Sequence, residues 1–315
     1  MTRHIIEWTF GGIAVATFFI ISGFLISASF ERSTIKQYVI NRTLRIFPGL
    51  LVVLALTVFV IGPLFTRLSY SDYFSNVITW SYFKNILLVN VQYSLPGLFE
   101  NNLYPNAVNG SIWTLSYEVL CYIGLLILGY YGIFKNKKAV LLVFLLITAM
   151  SFFLPSTYSA TNLNGFLLGE LLNLIQFLAV GMVYYAYRDQ INLTYKLALI
   201  SLFALFASLY LGFFKETFLI AGSYLIFYAA FYLRPIIKFS KDKYVDLSYG
   251  VYIYAFPIQQ TVQHLMHNQT SLAVNFSISL LVTLLFATFS WYVIEKPFLQ
   301  LKHYKKKQEI LEKSW

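Results

Sequence analysis

A carboxylate two turns inside an apolar run is the first group in this sequence whose placement points to chemistry. Glu118 stands in NGSIWTLSYEVLCY, residues 109–122. On a helix starting near Ser111, the residues Ser111, Thr114, Glu118 and Tyr122 follow i, i+3, i+7 and i+11, so they form one polar stripe on a single face. At 1.5 Å per residue Glu118 lies about 10 Å along that helix, where a charge facing lipid would cost about 2.5 kcal/mol or more. The stripe must therefore face protein or water. As a functional group Glu118 is a catalytic candidate that orients or deprotonates a hydroxyl; as a structural one it is a buried acid hydrogen-bonded between helices.

Two further stretches carry groups of the same interest. In QYVINRTLRIFPGLL, residues 37–51, Arg42 and Arg45 are three apart just before Pro48, which reads as the opening residue of a helix. Two guanidiniums beside the positive end of a helix dipole would make a phosphate site; the alternative is that they only mark a cytoplasmic helix end. In DLSYGVYIYAFPIQQTVQHL, residues 246–265, the tyrosines 249, 252 and 254, Pro257 and the glutamines 259, 260 and 263 make a helix too polar for lipid on all sides. It either helps line a cavity or is a Pro-kinked helix whose glutamines bond to neighbours. Glu170, in FLLGELLNLIQF, is a weaker intramembrane acid. His264 and His267 have no carboxylate or cysteine company and read as interfacial residues, so no metal site is expected. The one cysteine, Cys121, excludes both a disulfide framework and a thiolate metal site.

The elements that must position these groups are membrane helices. The chain has 315 residues, 58% of them hydrophobic and only 11% charged, against about a quarter charged in soluble domains; its mean hydropathy is +0.66. The apolar runs are continuous and about twenty residues long, which suits helices and not the alternating strands of a barrel. The fold class is thus all-α, a polytopic bundle of about nine spans: 10–29, 49–65, 112–134, 139–156, 166–187, 197–214, 217–233, 247–267 and 272–294. Segment 73–95, broken by Asp72, Asn76, Lys84 and Asn85, reads as an interfacial or re-entrant piece outside the bilayer core. Of the 23 lysines and arginines, all but Arg3, Arg67, Lys84 and Lys215 fall in the loops after spans one, three, five and seven and in a basic tail, 296–315. The positive-inside rule then puts the N-terminus outside and the C-terminus in the cytoplasm. The same asymmetry accounts for the net charge of +10 by topology and attraction to anionic lipid, leaving no need for a nucleic-acid partner. No signal peptide is apparent, because the positive charges follow the first apolar segment.

FGGIAVATFFIISGFLIS, NRTLRIFP, NGSIWTLSYE, SYGVYIYAFP and YVIEKPF together resemble, in order and spacing, the landmarks of the membrane-bound acyltransferase-3 family. The resemblance covers nearly the whole chain and implies a single transmembrane domain, 1–315, in the bacterial cytoplasmic (inner) membrane. It implies an O-acyltransferase that moves an acyl group, commonly acetyl, from acyl-CoA (acetyl-CoA) as co-substrate to a hydroxyl of a cell-envelope glycan or lipid-linked sugar, with no bound cofactor. It also implies that Arg42 and Arg45 meet the donor phosphates at the cytoplasmic face, that Trp113, Ser116 and Glu118 belong to the central site, that Ser22 and Gly23 lie on the second family helix, that Ser22, Trp113, Ser116 and Tyr252 line the cavity, and that Tyr252 and Glu295 match family landmarks. The family usually has ten helices, the first with an arginine and a histidine about eleven residues on, proposed as the catalytic base. This chain starts where the second would be, which agrees with nine spans and an outside N-terminus and leaves Glu118 as the candidate base. A glycan transporter or flippase, or an inactive truncated relative, are the alternative readings.

Overall fold

The structure is a computed structural model that describes residues 9–154, 156–163, 165–232 and 245–301. Its helices run in the order α1 Phe10–Glu31, α2 Ile35–Leu56, α3 Gly62–Phe65, α4 Tyr70–Ser75, α5 Val77–Ser81, α6 Ile112–Tyr130 and α7 Lys137–Phe153. They continue with α8 Ser156–Ser159, α9 Leu168–Ala186, α10 Tyr195–Leu211, α11 Phe214–Thr217, α12 Ser223–Tyr232, α13 Ser248–Leu265 and α14 Leu272–Ser290. Three π-helical turns, Thr57–Ile61, Phe218–Gly222 and Trp291–Glu295, join or extend them. The strands are two-residue pieces, Asn162–Leu163 and Phe166–Leu167, paired antiparallel before α9. Each of the nine expected spans coincides with a helix, and five segments are long and apolar enough to cross a membrane by length and composition alone: Phe10–Glu31, Ile35–Phe65, Ile112–Tyr130, Leu168–Ala186 and Leu272–Leu301. The protein is an all-α multi-pass membrane protein. Arg234, Lys238, Lys241, Lys243 and the tail beyond Leu301, which carried part of the orientation argument, lie outside the described residues.

The chain divides into two compact units, Met1–Ile35 with Tyr117–Tyr244, and Lys36–Ser116 with Val245–Trp315. In the first, α1 lies against α9. Its buried residues Ala16, Phe19, Ile20, Gly23, Ile26 and Ser27 recur every three or four positions, while Phe18, Ile21 and Leu25 on the other side are exposed, as lipid contact allows. Gly23 and Gly181 bring the two backbones together: a Cβ at Gly23 would stand 1.9 Å from the Leu178 carbonyl oxygen, and one at Gly181 2.0 Å from that of Ile20. Small residues at such crossings replace the hydrophobic drive that lipid cannot supply. Thr9 caps α1 by accepting from Gly12 N at 3.2 Å, and at its far end Glu31 accepts from the Tyr185 hydroxyl and lies 3.9 Å from Arg188.

In the second unit α2 and α3 run alongside α13 in the same direction, from Tyr249 against Gly49 to His264 against Phe65. Pro48 lies inside α2 and does not open a helix as its sequence context suggested. The Tyr249 hydroxyl donates to the Ile46 carbonyl at 2.6 Å, which ties α13 to this part of α2. Residues 66–111 are not a loose connection. Tyr73, buried and with its phenol pushed up to about 12 by desolvation, donates to the Val58 carbonyl in the π turn at 3.1 Å, and Gly62 leaves room for that hydroxyl. Asn85 both donates to the carbonyl and accepts from the N–H of Gln92.

Candidate functional site

Arg45 is held from several sides within the second unit. Its Nη2 is 2.9 Å from Asp246 Oδ2 and donates to Ser248 Oγ at 3.1 Å; its Nη1 is 3.6 Å from Glu295 Oε2; its guanidinium lies over the Tyr249 ring at 5.7 Å. Asp246 is fixed in turn, its Oδ1 accepting from the N–H and hydroxyl of Ser248, the first residue of α13. Arg42, one turn earlier on α2, is half-buried beside the Tyr38 ring at 6.0 Å. Because α2 runs through Pro48, both arginines sit in a helix interior, and the expected help from a helix N-terminus does not apply. Asp246 and Ser248 were not singled out by sequence reasoning. The available signal was physical: Glu295, an acid ending an apolar helix, needs a cation, and the charge map put Arg45 on the same side.

One turn further along α13, Tyr252 donates to the Ser111 carbonyl at 2.5 Å and shares a hydrogen bond with the Thr114 hydroxyl. The chain reaches this point by descending beside α13. Asn102 donates to the Gln260 carbonyl at 2.9 Å, Gln260 donates to the carbonyls of Tyr104 and Ala107, and Asn109 donates to the Ile253 carbonyl at 3.0 Å. Gln260 to Tyr252 is eight residues, about 12 Å of helix. So α6 does not start level with the Leu265 end of α13. Its first turn lies beside Tyr252, about 6 Å along α13 from the Arg45 contact at Ser248. The Asn109 bond has a specific cause. Pro257 has no N–H, which orphans the carbonyl four residues back, that of Ile253, and the Asn109 amide supplies the missing donor.

Within α6 the polar stripe is buried: Thr114, Glu118 and Tyr122 are each less than a tenth exposed, and the Tyr122 hydroxyl donates to Glu118 Oε1, one turn along. Ser116 is buried and donates weakly back to the Ile112 carbonyl at 3.4 Å; Trp113 and Ser22 are half-buried. An apolar cavity of about 360 Å³ in the second unit is walled by Leu56, Val60, Phe65, Pro257, Val262 and Phe286 among others. Neither Trp113, Ser116 nor Tyr252 is in its wall. Glu170 is in the first turn of α9 and not deep in a span, a position where a helix dipole favours an acid. Of the glutamines, Gln260 and Gln263 are tied to neighbours and Gln259 is exposed. His264 packs on Phe65 and Phe99. Among the described residues no group of three or more His, Cys, Asp or Glu could hold a metal ion.

This helical chain, with its buried carboxylate and caged arginine, belongs to a family of membrane acyltransferases. Residues 2–294 match the model of the acyltransferase domain of the acyltransferase-3 family, and the chain is a member of it. It is 33% identical over 303 residues, 92% of this chain and 85% of the other, to an O-acetyl transferase of Shigella phage Sf6. It is also 31% identical over 128 residues, 38% of this chain and 34% of the other, to nodulation protein 10 of Rhizobium leguminosarum bv. viciae. No solved structure matches it.

Proposed function

We propose that the protein is an O-acetyltransferase of the bacterial inner membrane, with its C-terminus in the cytoplasm, which moves acetyl from acetyl-CoA to a hydroxyl of a cell-envelope glycan or its lipid-linked precursor. The donor phosphates meet Arg42 and Arg45, the thioester arm enters the bundle, and Glu118 takes or orients the hydroxyl proton as the hydroxyl oxygen attacks the acetyl carbonyl. Coenzyme A leaves as the thiol, and the acetyl group ends on oxygen. The phage relative, an O-acetyl transferase by name, supports acetyl and an oxygen acceptor. The observation that carries the chemistry is Glu118 itself, an acid less than a tenth exposed and hydrogen-bonded along its own helix by Tyr122.

The test is transfer of radiolabelled acetyl from acetyl-CoA to envelope glycan by the purified chain in proteoliposomes. Glu118→Gln is expected to slow transfer by about 10²- to 10⁴-fold, the usual contribution of a positioned acid or base, with acetyl-CoA binding kept. Unchanged transfer removes Glu118 from the mechanism, and glycan movement across the vesicle wall without coenzyme A would favour a transporter instead.

A further inference from the structure

Glu295 is a buried acid that the transfer chemistry above leaves without a task. It is 2% exposed and ends the π-helical turn Trp291–Glu295 that extends α14, and such turns often mark functional positions. A buried carboxylate is weak evidence for stability, since an apolar residue fills the same space without a desolvation cost. Its surroundings hold it in one place. Ser290 donates to Oε1 at 3.0 Å, and Gly250 lies beside it where α13 meets α14, since a Cβ there would stand 2.9 Å from Ala287 Cα and 3.2 Å from that oxygen. The other oxygen points at Arg45.

The two ends of the Arg45 fork are treated differently. Nη2 is committed to Ser248 and Asp246 at 3.1 and 2.9 Å. Nη1 lies 3.6 Å from Glu295 Oε2, too far for a hydrogen bond but close enough for a strong attraction between charges. An arginine tied along one edge and drawn from the other cannot swing, yet keeps donors on Nη1 for an incoming ligand. With the Tyr249 ring beneath it, the guanidinium is set before anything binds, so less side-chain freedom is lost when a phosphate arrives.

We infer that Glu295 is a positioning residue, which orients Arg45 so that its Nη1 edge meets a phosphate of the acyl donor. The inference rests on the donor reading above. Ser290 serves it indirectly, by fixing the carboxylate.

The experiment is equilibrium binding of acetyl-CoA and of acetyl-pantetheine, the same arm without the nucleotide phosphates, to the purified full-length chain in detergent. Glu295→Gln, which keeps the shape and removes the charge, is expected to weaken acetyl-CoA binding roughly three- to tenfold and leave acetyl-pantetheine unchanged. Glu295→Asp should restore part of the difference. A merely structural acid would lower both affinities together, and that result overturns the inference. So does an unchanged Glu295→Gln beside an Arg45→Gln that loses acetyl-CoA selectively, in which case the donor reading stands. If Arg45→Gln changes nothing, the donor reading falls and the inference with it. Should Glu295→Gln not accumulate as folded protein, Ser290→Ala decides: a selective loss for acetyl-CoA supports the role, and none refutes it.

Discussion

Adding one methyl group at Gly23 tests the α1–α9 crossing directly. The new Cβ would stand 1.9 Å from the Leu178 carbonyl oxygen and 2.9 Å from its carbon. Ordinary carbon-to-oxygen contact needs about 3.3 Å, so the helices must open by about 1.4 Å. Backbone cannot give way as a flexible side chain can. The crossing is close on both sides, since Gly181 meets the Ile20 carbonyl equally tightly. A gap of 0.5–1 Å already forfeits a quarter to a half of each dispersion contact, and Phe19, Ile20, Phe177 and Leu178 all pack in the affected region. Overpacking of this kind costs about 1–3 kcal/mol; with backbone as the obstacle we take the upper end, about 3 kcal/mol. Alanine's better helix propensity returns about 1 kcal/mol, leaving Gly23→Ala destabilised by about 2 kcal/mol. Gly124 is the internal control. It lies in α6 with nothing within 4 Å of the place its methyl would take, so Gly124→Ala should keep the propensity gain and stabilise by up to about 1 kcal/mol. The pair thus differ by about 3 kcal/mol, more than a hundredfold in the folding equilibrium. Equilibrium unfolding of both variants in mixed micelles reads this out. A Gly23→Ala protein within about 0.5 kcal/mol of the parent, an ordinary surface effect, would refute the close-approach argument.

Two further substitutions follow from single bonds or dihedrals. Asn109→Ala strips the Ile253 carbonyl of the donor that replaces the missing Pro257 N–H; it should cost about 1–3 kcal/mol in thermal unfolding, and adding Pro257→Ala, which brings back an N–H, should recover part of the loss. Gly212 ends α10 at φ +75°, with no atom within 4 Å of a would-be Cβ. Gly212→Ala should therefore cost about 1–2 kcal/mol from backbone conformation alone, and Gly212→Asn distinctly less in the same unfolding measurement.

The hydropathy and the spacing of Glu118 decided a good deal by themselves. A twenty-residue apolar run has to become a helix in lipid, because no other local structure satisfies its own backbone there, so the nine runs could be read without tertiary information. The polar stripe from Thr114 to Tyr122 was legible for the same reason: helical period and the cost of a lipid-facing acid leave only a buried face, and Thr114, Glu118 and Tyr122 are buried. Five motifs in order, from FGGIAVATFFIISGFLIS to YVIEKPF, pointed to the family.

What the sequence left open depended on partners far away along the chain. Pro48 is a helix start by local preference and a helix interior in the protein, where Tyr249 approaches the Ile46 carbonyl from about two hundred residues away. The irregular stretch from Asn102 to Ser111 has no period to read, and its course beside α13 follows from hydrogen bonds to Gln260, Ile253 and Tyr252. Arg45 looked in sequence like a free cation beside a helix end; only the fold brings Asp246 and Glu295 to either side of it. Local periodicity fixes which residues turn away from lipid, since that depends on the chain a few residues either way. Which polar groups then meet is set by how helices pack, and no short stretch of sequence contains that information.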